Sequence, residues 1–166
     1  MTTTLETLPG SVDYLHALKY ADLSDEVRAR AIDVLLDTMG CMLGGAATDL
    51  GKAYIRLTDR IAGQGSSTAL GIARKVDAVS AAFVNAAHAD ALDYEDTLLG
   101  HPSSTIIPAA LAIGEMVDAS GEELIAAIVA AYDVSVRIGA SITPTPARAR
   151  DIAVRFAWFG LAAATV

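Results

Sequence analysis

Apolar residues in this chain recur three and four positions apart almost from end to end, while strand-type alternation is nearly absent. That spacing puts them along one side of a 3.6-residue helix, so the expected architecture is all-α, a multi-helix bundle. Ser24-Asp25-Glu26 supplies an N-cap and an acidic first turn. Val27, Ala31, Val34, Leu35, Thr38 and Met42 follow at helical steps, and Gly44-Gly45 is expected to end that helix. A second helix over roughly 48–62 sets Leu50, Tyr54, Leu57 and Ile61 on one face. "AGQGSSTALG" reads as a loop with room for one short extended piece. A longer helix is expected from about Asp77 to Leu92, with Val79, Phe83, Ala86 and Ala87 inward. Pro102 blocks helix at His101, and the next helix starts near Ser103-Ser104, carrying Ile107, Ala110, Leu111 and Met116 with Pro108 early in it. Ser120 with Glu123 three residues on is a capping box. "TPTPARARD" breaks the chain before a last apolar helix, "IAVRFAWFGLAAATV".

Composition narrows the classes. The 166 residues suit one helical domain spanning 1–166. With 53% hydrophobic and 19% charged residues the chain has the means to bury a core, and the apolar excess suggests a face covered by another chain or segment. The apolar last helix, running to Val166, carries the same expectation: a truncated piece of a longer protein, or a stand-alone domain that needs a partner. A formal charge of -8 argues against a nucleic-acid partner, which would require basic clusters. Cys41 is the single cysteine, so an internal disulfide is excluded and a reducing, cytoplasmic setting is expected. Its neighbours in "DTMGCMLGG" are apolar, as for an inert buried thiol. "MTTTLETLPG" has no signal-peptide pattern, and "LIAAIVAAYDVSVRIGASI" is broken by Asp133 and Arg137, so no membrane association is expected.

The chemistry concentrates in "ALDYEDTLLGHPSS", residues 91–104. A helix end turning into solvent would explain such a cluster as caps for free backbone groups. The rim of an active site would explain it too. No calcium loop fits, because Leu98 and Ser104 stand where Gly and Glu would be needed. His16, His88 and His101 are not spaced as zinc ligands on one helix face, and no phosphate-binding or nucleophile-elbow motif is present. Acid–base chemistry is what remains. Asp93 and Thr97 lie four apart, one helical turn, and His101 can fold back toward them as a proton shuttle. Nearby residues have plainer readings. Glu95 and Asp96 cap amides or pair with cations, Asn85 donates between helices, and Asp37 with Thr38 satisfies backbone where Gly40 lets helices approach. His88 fits a hydrogen-bonded core histidine better than a catalyst.

"NAAHADALDYEDTLLGHPSSTIIPAALAIGE" resembles the signature region of the MmgE/PrpD family, and "LLDTMGCMLGG" and "AAYDVSVRIGASI" are similar to its flanking segments in the same order. The resemblance covers about residues 12–145. It implies the helical N-terminal domain of a two-domain, usually homodimeric protein whose α+β lid domain is absent here. Members such as 2-methylcitrate dehydratase, cis-aconitate decarboxylase and iminodisuccinate epimerase act on small polycarboxylates without metal or organic cofactor, by proton transfer next to a carboxylate. The family's active-site Asp, Thr and His fall on Asp93, Thr97 and His101, with Ser103, Ser104 and His88 as candidate substrate-binding neighbours. A second family histidine is implied after the "RIGA" helix, and a lysine further on. "TPTPARARDIAVRFAWFGLAAATV" contains neither, and Arg148, Arg150 and Arg155 read as a solvated face more readily than as substitutes.

Two function classes follow. One is a lyase (dehydratase or decarboxylase) or isomerase acting on a small di- or tricarboxylate, completed by a second segment or a complementary lid-domain subunit. The other is a non-catalytic helical module for dimerisation or partner binding. A truncated scaffold recruited for another small-molecule reaction, using the same pocket, is a third alternative.

Overall fold

The computed structural model describes residues 8–98 and 100–142. In chain order it comprises α1 (Leu8–Ala17), a 3-10 turn (Tyr20–Asp22), α2 (Asp25–Ala46), α3 (Asp49–Ile61), β1 (Ser67–Thr68), β2 (Lys75–Val76), α4 (Ala78–Asp90), α5 (Ser103–Val117) and α6 (Gly121–Ile142). The fold is the helical bundle that the apolar spacing predicts. The two short strands pair antiparallel, with Ser67 opposite Val76. The extended piece expected in this loop is β1; its partner β2 has too few residues to leave a pattern.

Short polar side chains start the helices. Val27 N donates to Ser24 Oγ at 3.3 Å, Gly51 N to Thr48 Oγ1 at 2.9 Å and Ser80 N to Asp77 Oδ1 at 2.9 Å. The capping box forms as read: Glu123 N donates to Ser120 Oγ at 3.3 Å and Ser120 N to Glu123 Oε2 at 2.8 Å. Each such cap contributes about 1 kcal/mol.

Helix α5 is the spine. Ile106, Ile107, Pro108, Ala110 and Ala112 are all buried along it. One apolar cluster joins Ile107 and Ala110 to Leu23, Ala31, Ile125 and Ile128; a second joins Ala112 to Ala69, Val76, Ala78, Ala81 and Val84. Full burial of Ile106, Ile107 and Ile128 contributes roughly 2–3 kcal/mol each before the entropy of ordering them.

Four local expectations are corrected. Helix α2 does not stop at Gly44-Gly45 but runs through both to Ala46. Gly45 serves contact instead: a Cβ there would lie 1.9 Å from the His88 carbonyl oxygen, so only glycine lets α2 and α4 meet so closely. Gly40, read as the site of helix approach, has no atom within 4 Å of its Cβ position. On α4 the inward face is Ala78, Ala81, Val84, Asn85, His88 and Ala89, while Val79 is 80% exposed and Phe83 46%. This helix is apolar on most sides, and the close approach of α2 admits small residues where the larger ones were expected. Asn85 does not join two helices: it accepts from Leu70 N at 2.9 Å and donates to the Thr68 carbonyl at 2.8 Å, tying the hairpin region to α4.

Leu50, Leu57 and Ile61 do share a face of α3, and that face is exposed. Ile32, Leu36, Met39 and Leu43 form a second outward stripe on α2, with Leu36 and Leu43 each 62% exposed. Cys41 is buried, and burial pushes its thiol upward, with the charge of Asp37 adding to the effect. Among the described residues no single helix is long and apolar enough to cross a membrane. The "TPTPARARD" break, the helix expected after it, and Arg148, Arg150 and Arg155 lie outside the described residues.

Candidate active site

Helix α4 ends at Asp90, and the chain takes a twelve-residue path to Ser103 that contains the acidic cluster. No helical turn carries Asp93 to Thr97; the segment is irregular. Asp93 N donates to the Asp90 carbonyl at 3.2 Å, and Asp93 sits at φ +54, in the left-handed region. Aspartate tolerates that conformation better than most residues because its short side chain can bond locally. Gly100, at φ +131, makes the second turn before Pro102.

The loop is pinned by Asp96. Its Oδ1 accepts from Ser103 N at 3.0 Å, capping the start of α5, and its Oδ2 accepts from Tyr132 Oη on α6 at 2.8 Å. Burial drives the Tyr132 phenol far above its ordinary range, with the charge of Asp96 reinforcing the effect, so the phenol is a fixed donor. Ser104 Oγ donates to the His101 carbonyl at 2.8 Å and steadies the backbone there.

His101 stands between two carboxylates. Its Nε2 is 3.3 Å from Asp93 Oδ1, and its Nδ1 is 3.6 Å from Glu95 Oε1. Asp93 is open to solvent, His101 is half-buried, and Glu95 is only 3% exposed. Neither Glu95 carboxylate oxygen has a hydrogen-bond partner, since 3.6 Å is an ion-pair separation rather than a bond. Burial pushes the Glu95 carboxyl above its usual range; the negative charge of Asp90 adds to this, and a charged His101 opposes it. The site is thus graded from water inward: exposed acid, imidazole, buried acid. An imidazole so placed faces a carboxylate at each nitrogen, and the Nε2 side, with exposed Asp93, is the one that solvent or a ligand can reach.

The remaining candidate residues fall elsewhere around this loop. Thr97 is exposed and lines a cavity of about 460 Å³ between α2, α6 and the loop, with Arg30, Asp96, Leu98 and Tyr132 among its walls. Asp93 and His101 are not among those walls, so the structure brings Asp93 and His101 together and sets Thr97 beside the adjoining hollow. His88 is fully buried, with Nε2 3.3 Å from the Gly51 carbonyl, and burial lowers its affinity for a proton. Ser103 and Ser104 are both buried at the start of α5. Two residues were missed as site members. Glu95 was read as a cap or ion-pair partner, and nothing in the spacing marks it as the buried member of the pair flanking His101. Arg30, in the cavity wall, is one exposed arginine on α2 with no sequence signal to distinguish it.

A helical domain with a paired acid and imidazole on the loop between two central helices defines the class. A family model described as the MmgE/PrpD N-terminal domain matches residues 12–166, and the chain belongs to the MmgE/PrpD family. It is 28% identical over 129 residues to cis-aconitate decarboxylase of Aspergillus terreus, covering 73% of this chain and 26% of that protein. It is 26% identical over 145 residues to the Homo sapiens cis-aconitate decarboxylase (86% of this chain, 30% of that protein). The Mus musculus protein of the same name is 26% identical over 149 residues, with the same coverage. The chain therefore spans roughly a quarter to a third of the length of the curated relatives it matches.

Proposed function

We propose that this chain is the helical part of a cofactor-independent lyase or isomerase that moves a proton at a carbon next to a carboxylate of a small di- or tricarboxylate. The observation that carries the proposal is His101 held by Asp93 on one side and backed by buried Glu95 on the other. In this reading Glu95, facing Nδ1, orients the ring, and exposed Asp93 gives up its place at Nε2 as substrate enters, so that His101 Nε2 exchanges the proton with the substrate carbon. Thr97 and Arg30, facing the adjoining cavity, receive a substrate carboxylate. Decarboxylation fits this arrangement: the C–CO₂ electron pair passes to the α-carbon as carbon dioxide leaves, and His101 delivers the proton that replaces it. The relatives named cis-aconitate decarboxylase favour that outcome over dehydration or epimerisation.

Two carboxylates flanking a single imidazole cannot neutralise a tricarboxylate. The reading therefore requires further cations from a segment outside 8–142 or from another subunit, a complementary lid or a second copy in a homo-oligomer. The outward apolar stripes of α2 and α3 are the surfaces such a segment or copy would cover. A cytoplasmic setting completes the proposal, consistent with a lone buried thiol.

The test uses the longest polypeptide that carries this domain, assayed by proton NMR with cis-aconitate, 2-methylcitrate and iminodisuccinate in deuterated water. Turnover of one of them, with solvent deuterium entering the product, is expected. His101→Gln and Asp93→Asn are expected to lower kcat by about 100-fold or more. Undiminished turnover in the Asp93→Ala, His101→Ala double variant would sink the site assignment. Absence of turnover in every complemented form, alongside a stable oligomer, would leave the helical binding module as the function.

A further inference from the structure

We infer that Asp93, Glu95 and His101 form a binding site for a divalent transition-metal ion of the zinc type. The inference concerns the same side chains as the proposed reaction but does not depend on it, since metal binding is read out without turnover.

One ligand atom from each of the three residues lies within 4.8 Å of the other two. Donors around a zinc-sized ion, at bond lengths near 2.1 Å, stand about 3–3.5 Å apart. The loop must therefore contract by roughly 1 Å. One ion takes one ring nitrogen, so Asp93, exposed at a turn and free to move, must also swing from Nε2 toward the Nδ1 side that Glu95 faces. Glu95 supplies the second, independent observation. Its side chain is fully buried and directed at His101, yet both of its oxygens lack a hydrogen-bond partner. A buried carboxylate left in that state is unfavourable, and it is relieved by a proton or by a cation. Among the described residues no lysine or arginine forms an ion pair with Asp93 or Glu95. Asp90 adds its own negative charge nearby. The loop is thus a pocket of negative potential with no fixed positive partner of its own.

The donor set selects the ion. Two carboxylates with one neutral imidazole match a 2+ charge. The nitrogen donor favours zinc, cobalt or nickel over magnesium and calcium, which prefer all-oxygen shells. Three protein ligands, of which Asp93 is open to solvent, leave at least one coordination position free. The three ligands sit two and six residues apart on a loop. A search for histidine pairs on one helix face passes over that spacing. An ion held here occupies a ring nitrogen of His101, so metal occupancy and proton transfer by that nitrogen exclude each other.

The test is calorimetric titration of the metal-free chain with Zn²⁺, repeated with Mg²⁺, alongside NMR of the wild type with Co²⁺. One Zn²⁺ per chain is expected, with Mg²⁺ binding much more weakly. Glu95→Gln and His101→Gln should each weaken Zn²⁺ by at least about tenfold, and His16→Gln, at an exposed histidine, should leave it unchanged. Circular dichroism checks that each variant is folded. Should either fail that check, the Co²⁺ spectrum decides, because the wild-type His101 ring signals must show the largest paramagnetic shifts. No binding at millimolar Zn²⁺, binding indifferent to Glu95→Gln and His101→Gln, or Co²⁺ shifts centred on another histidine would each overturn the site.

Discussion

Replacing Asp96 with alanine tests how the bundle holds its loop. The substitution removes two hydrogen bonds at once, the 3.0 Å cap on Ser103 N and the 2.8 Å bond from the Tyr132 hydroxyl. Losing a helix cap costs about 1 kcal/mol. Losing a charge-assisted bond to a largely buried phenol costs a further 1.5–3 kcal/mol or so, because the hydroxyl is left without its partner. The expected loss is about 3 kcal/mol, a drop of roughly 1–2 M in the urea midpoint for a domain of this size. Tyr132→Phe alone should cost less, since it removes both the donor and its desolvation penalty. In a double-mutant cycle the pair should couple by about 1.5 kcal/mol. Equilibrium urea unfolding followed by circular dichroism measures all four corners. A loss under 0.5 kcal/mol for Asp96→Ala, or a coupling near zero, would refute the idea that Asp96 clamps the loop to α5 and α6.

Gly45→Ala is expected to destabilise by about 3 kcal/mol or more, because the new methyl would collide with the backbone of α4, whereas Gly40→Ala should stabilise by about 0.5–1 kcal/mol; urea unfolding separates the two. Glu95→Gln should raise stability at pH 7 by roughly 1 kcal/mol by removing an uncompensated buried charge. The native Glu95 pKa lies above the unfolded one, so the wild type loses stability as pH rises through that interval, and the advantage of Gln should vanish near pH 4; thermal melts at several pH values check this. His88 has the opposite sign. Its folded pKa lies below the unfolded value, so its contribution is present above about pH 6.5 and is lost as pH falls, and His88→Gln should flatten that acid-side slope in the same melts.

Helix existence was legible because caps and periodicity are local. The cap bonds of Ser24, Thr48, Asp77 and Ser120 each reach only three residues along the chain, so a short window of sequence contains the whole cap. Which side of a helix faces inward was less legible where apolar residues run around it. On α4 the answer depends on Gly45 of α2, more than thirty residues away, and no window on α4 includes it. The loop shows both sides of this. Asp96 was readable as an amide cap, since its partner Ser103 is seven residues on. Its second partner, Tyr132, is on another helix and left no trace. Asp93 and His101 were placed together by motif and the structure brings them together, but by a left-handed turn at Asp93 rather than by a helical one. Burial of Glu95 is a property of the assembled bundle alone.

Every functional statement above rests on the ring of His101 lying between an open acid and a sequestered one. A crystal structure of the domain at neutral pH, soaked with cis-aconitate, reads that arrangement directly. It should show Nε2 within about 3.5 Å of the Asp93 carboxylate, Nδ1 turned to Glu95, and ligand density against His101 and the Thr97 cavity. A His101 ring swung into bulk solvent, about 10 Å or more from Asp93 and with Glu95 exposed beside it, would contradict the account.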